Sequence, residues 1–187
     1  MSNSLDIKWP MTLGAPAGSL EAKLPRPEDI GTDIPDPQRY FCKDFMQKEW
    51  QRLWPKVWLL AGVTPDLKEP GDFITHRHGH EEFLLVRHED NKIRAFYNVC
   101  PHRGKRVCQV EQGNVPKFSC PFHGWQFLTD GSLASITDEE TYDADLIAHR
   151  PGLTEIRCET IGGLIFINMD GNAPPLREWI GLPEGYI

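Results

Sequence analysis

The sequence predicts an antiparallel all-β domain, preceded by an extended arm and one helix. Three observations carry this. From Val57 to Met169 the apolar residues come in short runs separated by turn residues, the pattern of many short antiparallel strands. One segment alone, Lys43–Trp54, has apolar residues at helical spacing. Pro and Gly crowd residues 1–36, which favours an extended surface arm over packed structure. The length of 187 residues is about one domain, and 40% hydrophobic and 25% charged residues are ordinary for a globular chain.

The elements follow in order. After the arm, residues 37–55 form a helical region. Met46, Trp50, Leu53, Trp54 and Val57 fall on one side and Lys43, Gln47, Lys48 and Arg52 on the other, which predicts a buried helix face. Pro55 ends the helix. "KVWLLAGV" then reads as a strand. "GDFITHRH" and "FLLVRHE" read as a hairpin, and "KIRAFYNV" as the next strand. "GWQFLTDGSLAS" carries Asp-Gly between apolar stretches, a hairpin signal. Asp138–Gly152 is acidic and irregular, with one helical turn expected near Ala144–Ile147. "TEIRCETIGGLIFINMD" supplies two strands around Gly162 and Gly163. Residues 56–170 are thus expected to form the β domain, and 171–187 a linker.

Charge and composition exclude several classes. A net charge of -7 and a pI near 5.5 speak against a nucleic-acid partner. No apolar run is long enough for a membrane span. The N-terminus lacks the basic start and apolar stretch of a secretory signal. Five scattered Cys do not form a dense disulfide pattern, so a cytoplasmic location with reduced or metal-bound Cys is expected.

The chemistry lies in Cys100-x-His102 and Cys120-x-x-His123, each just after a strand on a turn rich in Pro and Gly. Two Cys and two His can hold one tetrahedral zinc. Zinc fingers of that composition, however, pair Cys with Cys and His with His. Here each loop supplies one of each. That mixture suits a two-iron centre in which one iron takes both thiolates and the other both imidazoles, the Rieske [2Fe–2S] pattern. Two ferric ions, two sulfides and two thiolates sum to zero charge when the His are neutral. Such a centre accepts an electron more readily than a four-thiolate dianion.

"CPHRG" and "CPFHGWQF" resemble the Rieske domain of ring-hydroxylating oxygenase α subunits, the terminal oxygenases of Rieske non-heme iron systems. "RYFCKDFMQKEWQRLWPKVWLLAG" and "GDFITHRHGHEEFLLVRHEDNKIRAFYNVC" extend the resemblance, which covers about residues 37–180. It implies a Rieske fold with a cluster-binding subdomain at about 98–128. Its ligands would be Cys100, His102, Cys120 and His123, with Arg103, Gly104, Gly124 and Trp125 around them. Lys105 and Phe122 stand where high-potential Rieske proteins carry a disulfide, and Trp125 where they carry a Ser that hydrogen-bonds the cluster. Fewer such hydrogen bonds imply the lower end of the Rieske potential range. Cys108 and Cys158 then pack as small apolar residues.

The family's α subunits also hold a mononuclear Fe(II) on two His and a carboxylate. After His123 this sequence has only His149. The triplet His76, His78, His80 reads as a polar turn. No residue is therefore assigned a catalytic role. The expectation is an electron-transfer domain whose mononuclear iron lies in a domain absent from the chain. A ferredoxin or reductase would be its donor, and a homotrimer or α3β3 assembly its setting. A free-standing Rieske ferredoxin and a structural zinc module are the alternatives. The substrate is not legible.

Overall fold

The computed structural model describes residue 34 and residues 36–149 and 151–181. Apart from Ile34 and Asp36, the arm expected over 1–36 lies outside the described residues, as do positions 182–187 of the expected linker. A short 3-10 turn, Pro37–Tyr40, opens the described chain, and the Asp36 carboxylate caps it by accepting from the Gln38 N–H at 2.9 Å. Helix α1 follows at Lys43–Arg52.

The helix forms where its periodicity placed it, but its face is not buried. Met46 is 50% exposed and Leu53 40%. Of the expected face, Trp50 and, just past the helix, Trp54 meet the tip of a hairpin, and Trp54 and Val57 also pack against a core of the sheet. The Trp50 ring lies 4.0 Å from the His80 ring and 5.7 Å from that of His78, and Trp54 meets His78 at 4.9 Å. The His triplet is therefore not simply a polar turn. Two of its members are the aromatic seat of the helix.

Ten strands follow: β1 Leu59–Val63, β2 Asp72–His78, β3 Glu81–Arg87, β4 Ile93–Tyr97, β5 Gln112–Asn114, β6 Lys117–Ser119, β7 Gln126–Leu128, β8 Leu133–Ser135, β9 Glu155–Ile161 and β10 Leu164–Asn168. Seven make one sheet in the order β1-β10-β9-β4-β3-β2-β5, and β6-β7-β8 make a small second sheet. All pairings are antiparallel. Gly162 and Gly163, both at positive φ, turn β9 into β10. Strand β5, "QGN", is short and polar and carries no sequence signal; its pairing comes from β2. Strand β6, "KFS", is the strand expected just before Cys120, and its one buried residue is Phe118.

Strand β3 explains how the sheet can have two cores. Its residues Phe83, Leu84, Leu85 and Val86 are all fully buried, and side chains alternate faces along a strand. Phe83 and Leu85 pack with Leu59, Leu67, Ile165 and Ile167 on one side. Leu84 and Val86 pack on the other with Phe96, Phe118, Trp125 and Phe127. Burial of each such side chain contributes roughly 1.5–3 kcal/mol. The second core holds the small sheet against the large one, and Cys100, Cys108 and Cys120 belong to it.

The irregular segment contains a 3-10 turn, Glu139–Thr141, and the short helix α2 at Ala144–Ala148. Past β10, Leu176–Ile180 forms a short helix, α3. Leu176 is buried with Trp58 and Ile161. The Trp58 indole N–H donates to Pro174 O at 3.1 Å, and Glu159 accepts from the Leu176 N–H at 2.8 Å. Arg157 pairs with Glu159 at 2.7 Å, donates to Ala173 O, and lies over the Trp58 ring.

Candidate metal centre

Strand β4 runs straight into Asn98-Val99-Cys100, and β6 into Cys120, so both Cys sit at strand ends. Each is followed by Pro and, four residues on, by Gly. The backbone folds both stretches the same way. Gly104 N–H donates to Cys100 O at 2.9 Å, and Gly124 N–H to Cys120 O at 3.0 Å. Cys100 N–H donates to Lys105 O and Cys120 N–H to Trp125 O, each at 2.8 Å. The closing glycines have φ of 68° and 69°, a left-handed conformation that disfavours any side chain. At Gly104 that conformation is the whole requirement, because a Cβ would meet open space. At Gly124 a Cβ would also collide with the Thr137 hydroxyl.

The two loops are thus one hook used twice. Cys100 and Cys120 hold equivalent places at the base and are 1% and 3% exposed. His102 and His123 sit at different steps of the hook, both half-buried, and their rings converge at 4.7 Å. Burial, and after it the neighbouring Cys120 thiol, push the Cys100 thiol up to about 11. Burial lowers the His102 pKa, and the charges of His123 and Arg103 lower it further. Both shifts favour the neutral side chain, the form in which an imidazole can bind a metal and from which a thiol must lose its proton to do so.

One atom tests whether this site fits a metal group. His123 Nδ1 is buried and has no hydrogen-bond partner. A buried imidazole nitrogen left that way is costly, and a metal ion is a partner that would satisfy it. Among the described residues no three His, Cys, Asp or Glu side chains gather around one point. The Cys120 thiol lies beside that of Cys100, and the His102 and His123 rings lie against each other, so the side chains offer a thiol pair and an imidazole pair.

The residues around the hooks divide by exposure. Arg103 is exposed at the tip of the first hook. Phe122 is 54% exposed, with its ring 3.9 Å from that of His123. Trp125 is buried and lies flat on His102, with ring centroids 4.8 Å apart and planes 4° from parallel. Two contributors escape sequence reasoning. Asn98, 1% exposed, donates through Nδ2 to Cys108 O at 2.7 Å and accepts from the Cys108 N–H at 2.8 Å, closing the base of the first hook. Its only signal is a polar residue at the end of an apolar strand. Tyr142 comes from the irregular acidic segment, where nothing marks it.

Residues 57–150 match the family of the Rieske [2Fe-2S] domain. The chain belongs to that family. A Rieske domain implies a [2Fe–2S] cluster, the group that the donor set above fits. This Rieske domain is 36% identical over 152 residues to the biphenyl 2,3-dioxygenase subunit alpha of Rhodococcus jostii, covering 81% of this chain and 33% of that protein. It is 33% identical over 187 residues to the glycine betaine monooxygenase oxygenase subunit of Pseudomonas aeruginosa, covering 98% of this chain and 43% of that one. The chain therefore spans less than half the length of either relative. Among solved structures, naphthalene 1,2-dioxygenase with indole bound aligns with a TM-score of 0.66 at 36% identity, over 73% of this chain and 31% of that one. The apo form of a quaternary ammonium Rieske monooxygenase aligns at 0.71 and 30% identity, over 76% and 41%. The antiparallel all-β reading thus agrees with the fold of Rieske oxygenase α subunits. Among the described residues no helix is long and apolar enough to cross a membrane.

Proposed function

We propose that this Rieske domain is the electron-transfer unit of a Rieske non-heme iron oxygenase. Cys100 and Cys120 hold one iron of its cluster, and His102 and His123 hold the other. The observation that carries the assignment is the pair of equal hooks, with the Cys120 thiol beside that of Cys100, the two imidazole rings 4.7 Å apart, and His123 Nδ1 without a hydrogen-bond partner. When bound, the cluster supplies one-electron transfer at an edge formed by the two imidazoles. The chain's own residues keep that edge partly dry. Trp125 covers one face of His102, and Phe122 covers His123 from the solvent side. Arg103, Gly104 and Gly124 complete the surroundings, the glycines through their backbone geometry.

A ferredoxin or reductase is the proposed donor. The proposed acceptor is a mononuclear iron in a catalytic domain of the same assembly, a homotrimer or α3β3. The relatives include oxygenases named for arenes and one named for a quaternary ammonium compound. Both share this domain, so the proposal stops at electron transfer and assigns no substrate.

The test is metal analysis after anaerobic purification. The protein is expected to be red-brown, with about two irons and two labile sulfides per chain. Cys100→Ser or Cys120→Ser is expected to remove both. A colourless protein carrying stoichiometric zinc would overturn the assignment.

A further inference from the structure

We infer that Tyr142 is a positioning residue for the cluster, fixing the plane of the His102 imidazole through Trp125. The inference rests on the reading of His102 as a ligand. Three rings meet here. The Trp125 indole lies flat against His102. Tyr142 stands edge-on to both, at 5.7 Å and 70° to Trp125 and at 5.8 Å and 73° to His102. The Trp125 Nε1–H donates to the Tyr142 hydroxyl at 3.3 Å. That indole is 1% exposed and has a single N–H to satisfy. Tyr142 is the partner that satisfies it, and the bond fixes how the indole is turned in its pocket.

The remaining walls of His102 do not hold its plane. His123 meets it at 62°, edge to face, and the tip of the first hook is open to solvent at Pro101 and Arg103. A half-buried imidazole bound through one nitrogen can still swing about that bond. The flat indole is the contact that opposes this swing. The hydroxyl that orients the indole therefore acts on the ligand at second hand.

Tyr142 is itself anchored. The Tyr142 N–H donates to Glu139 O at 3.1 Å, and the Thr141 hydroxyl donates to Asp138 O at 2.8 Å. Ile147 on α2 packs against the second core. Thr137, at the start of the same segment, rests on Gly124 of the second hook. The segment 137–147 thus crosses the second hook and supports a ligand of the first.

The experiment uses the full chain with its cluster loaded. Tyr142→Phe removes one oxygen and keeps the ring. Trp125→Phe removes the indole N–H. Both single variants and the double variant are analysed for iron and sulfide, then reduced anaerobically and examined by electron paramagnetic resonance. The expected result for Tyr142→Phe is full iron loading with shifted and broadened g-values. The double variant should match Trp125→Phe alone, because the hydroxyl acts only through the indole. A loaded Tyr142→Phe protein whose spectrum equals the parent's would overturn the inference. So would shifts that add in the double variant. A parent protein without iron and sulfide would instead overturn the ligand assignment, and the two failures are distinct.

Discussion

Replacing Asn98 by Ala tests how the first hook is held shut. The amide spans the hook's base, giving one hydrogen bond to Cys108 O and taking one from the Cys108 N–H. The site is 1% exposed, so water cannot replace the lost partners without opening the structure. Leaving a buried donor or acceptor unsatisfied costs about 1–3 kcal/mol each. Two such groups give roughly 2–6 kcal/mol, a large share of the ~5–15 kcal/mol that stabilises a typical domain. At about 2–4 °C per kcal/mol for a chain of this size, the melting temperature should fall by ten degrees or so. Asn98→Leu, similar in volume, should fare little better, because it fills the space but pairs neither group. The assay is denaturant unfolding of the iron-loaded protein, followed by circular dichroism and by loss of cluster absorbance. Cluster absorbance and the circular dichroism of the sheet should be lost together, at lower denaturant than in the parent, because β3 joins the two cores. An unfolding free energy within about 0.5 kcal/mol of the parent's for both variants, the ordinary range of a surface substitution, would refute this account of Asn98.

Three further outcomes are expected. Gly104→Ala should cost only the left-handed penalty of about 1–2 kcal/mol, and Gly124→Ala clearly more because of Thr137. Adding Thr137→Ala should bring the second down to the first in denaturant titrations. Burial lowers the His76 pKa from its ordinary 6.5, with the His78 charge adding to this. The unfolded chain then binds a proton near pH 6.5 that the folded chain takes up only at lower pH. Stability is therefore full above that pH and falls as acid is added, until the folded imidazole also protonates. His76→Gln should flatten this part of the stability–pH curve, and a parallel shift with no change of slope would contradict it. Finally, with Lys105 and Phe122 in place of a disulfide, the midpoint potential should lie nearer about −150 mV than +300 mV. Protein-film voltammetry giving a clearly positive value near neutral pH would contradict that reading.

The sequence was most readable where chemistry is local. Cys100, His102, Cys120 and His123 announce themselves by type and spacing, and their glycines by the turns they close. The strands of the large sheet are legible because β3 and its neighbours are apolar enough to show their burial. Strand β5 is not, since its pairing is supplied by β2 and leaves no mark in "QGN". Helix α1 shows the opposite limit. Its periodicity is real, yet a hydrophobic stripe says nothing about what lies opposite, and here it is two imidazoles and a hairpin tip. Asn98 and Tyr142 act through contacts ten and seventeen residues away in sequence. Such residues become visible only when the chain is folded.

Strand β3, with one row of side chains in each core, has a consequence for cooperativity. A strand buried on one face can detach and leave the other layer standing. This one cannot, because freeing Leu84 and Val86 from the layer around the hooks also pulls Phe83 and Leu85 from the layer around β1 and β10. The part of the molecule that binds metal and the part that does not are one melting unit. Free energy released when metal closes the hooks is therefore shared with strands at the far side of the sheet. Amide hydrogens of β10 should exchange more slowly in the loaded protein, although Ile165 and Ile167 of that strand belong to the other core.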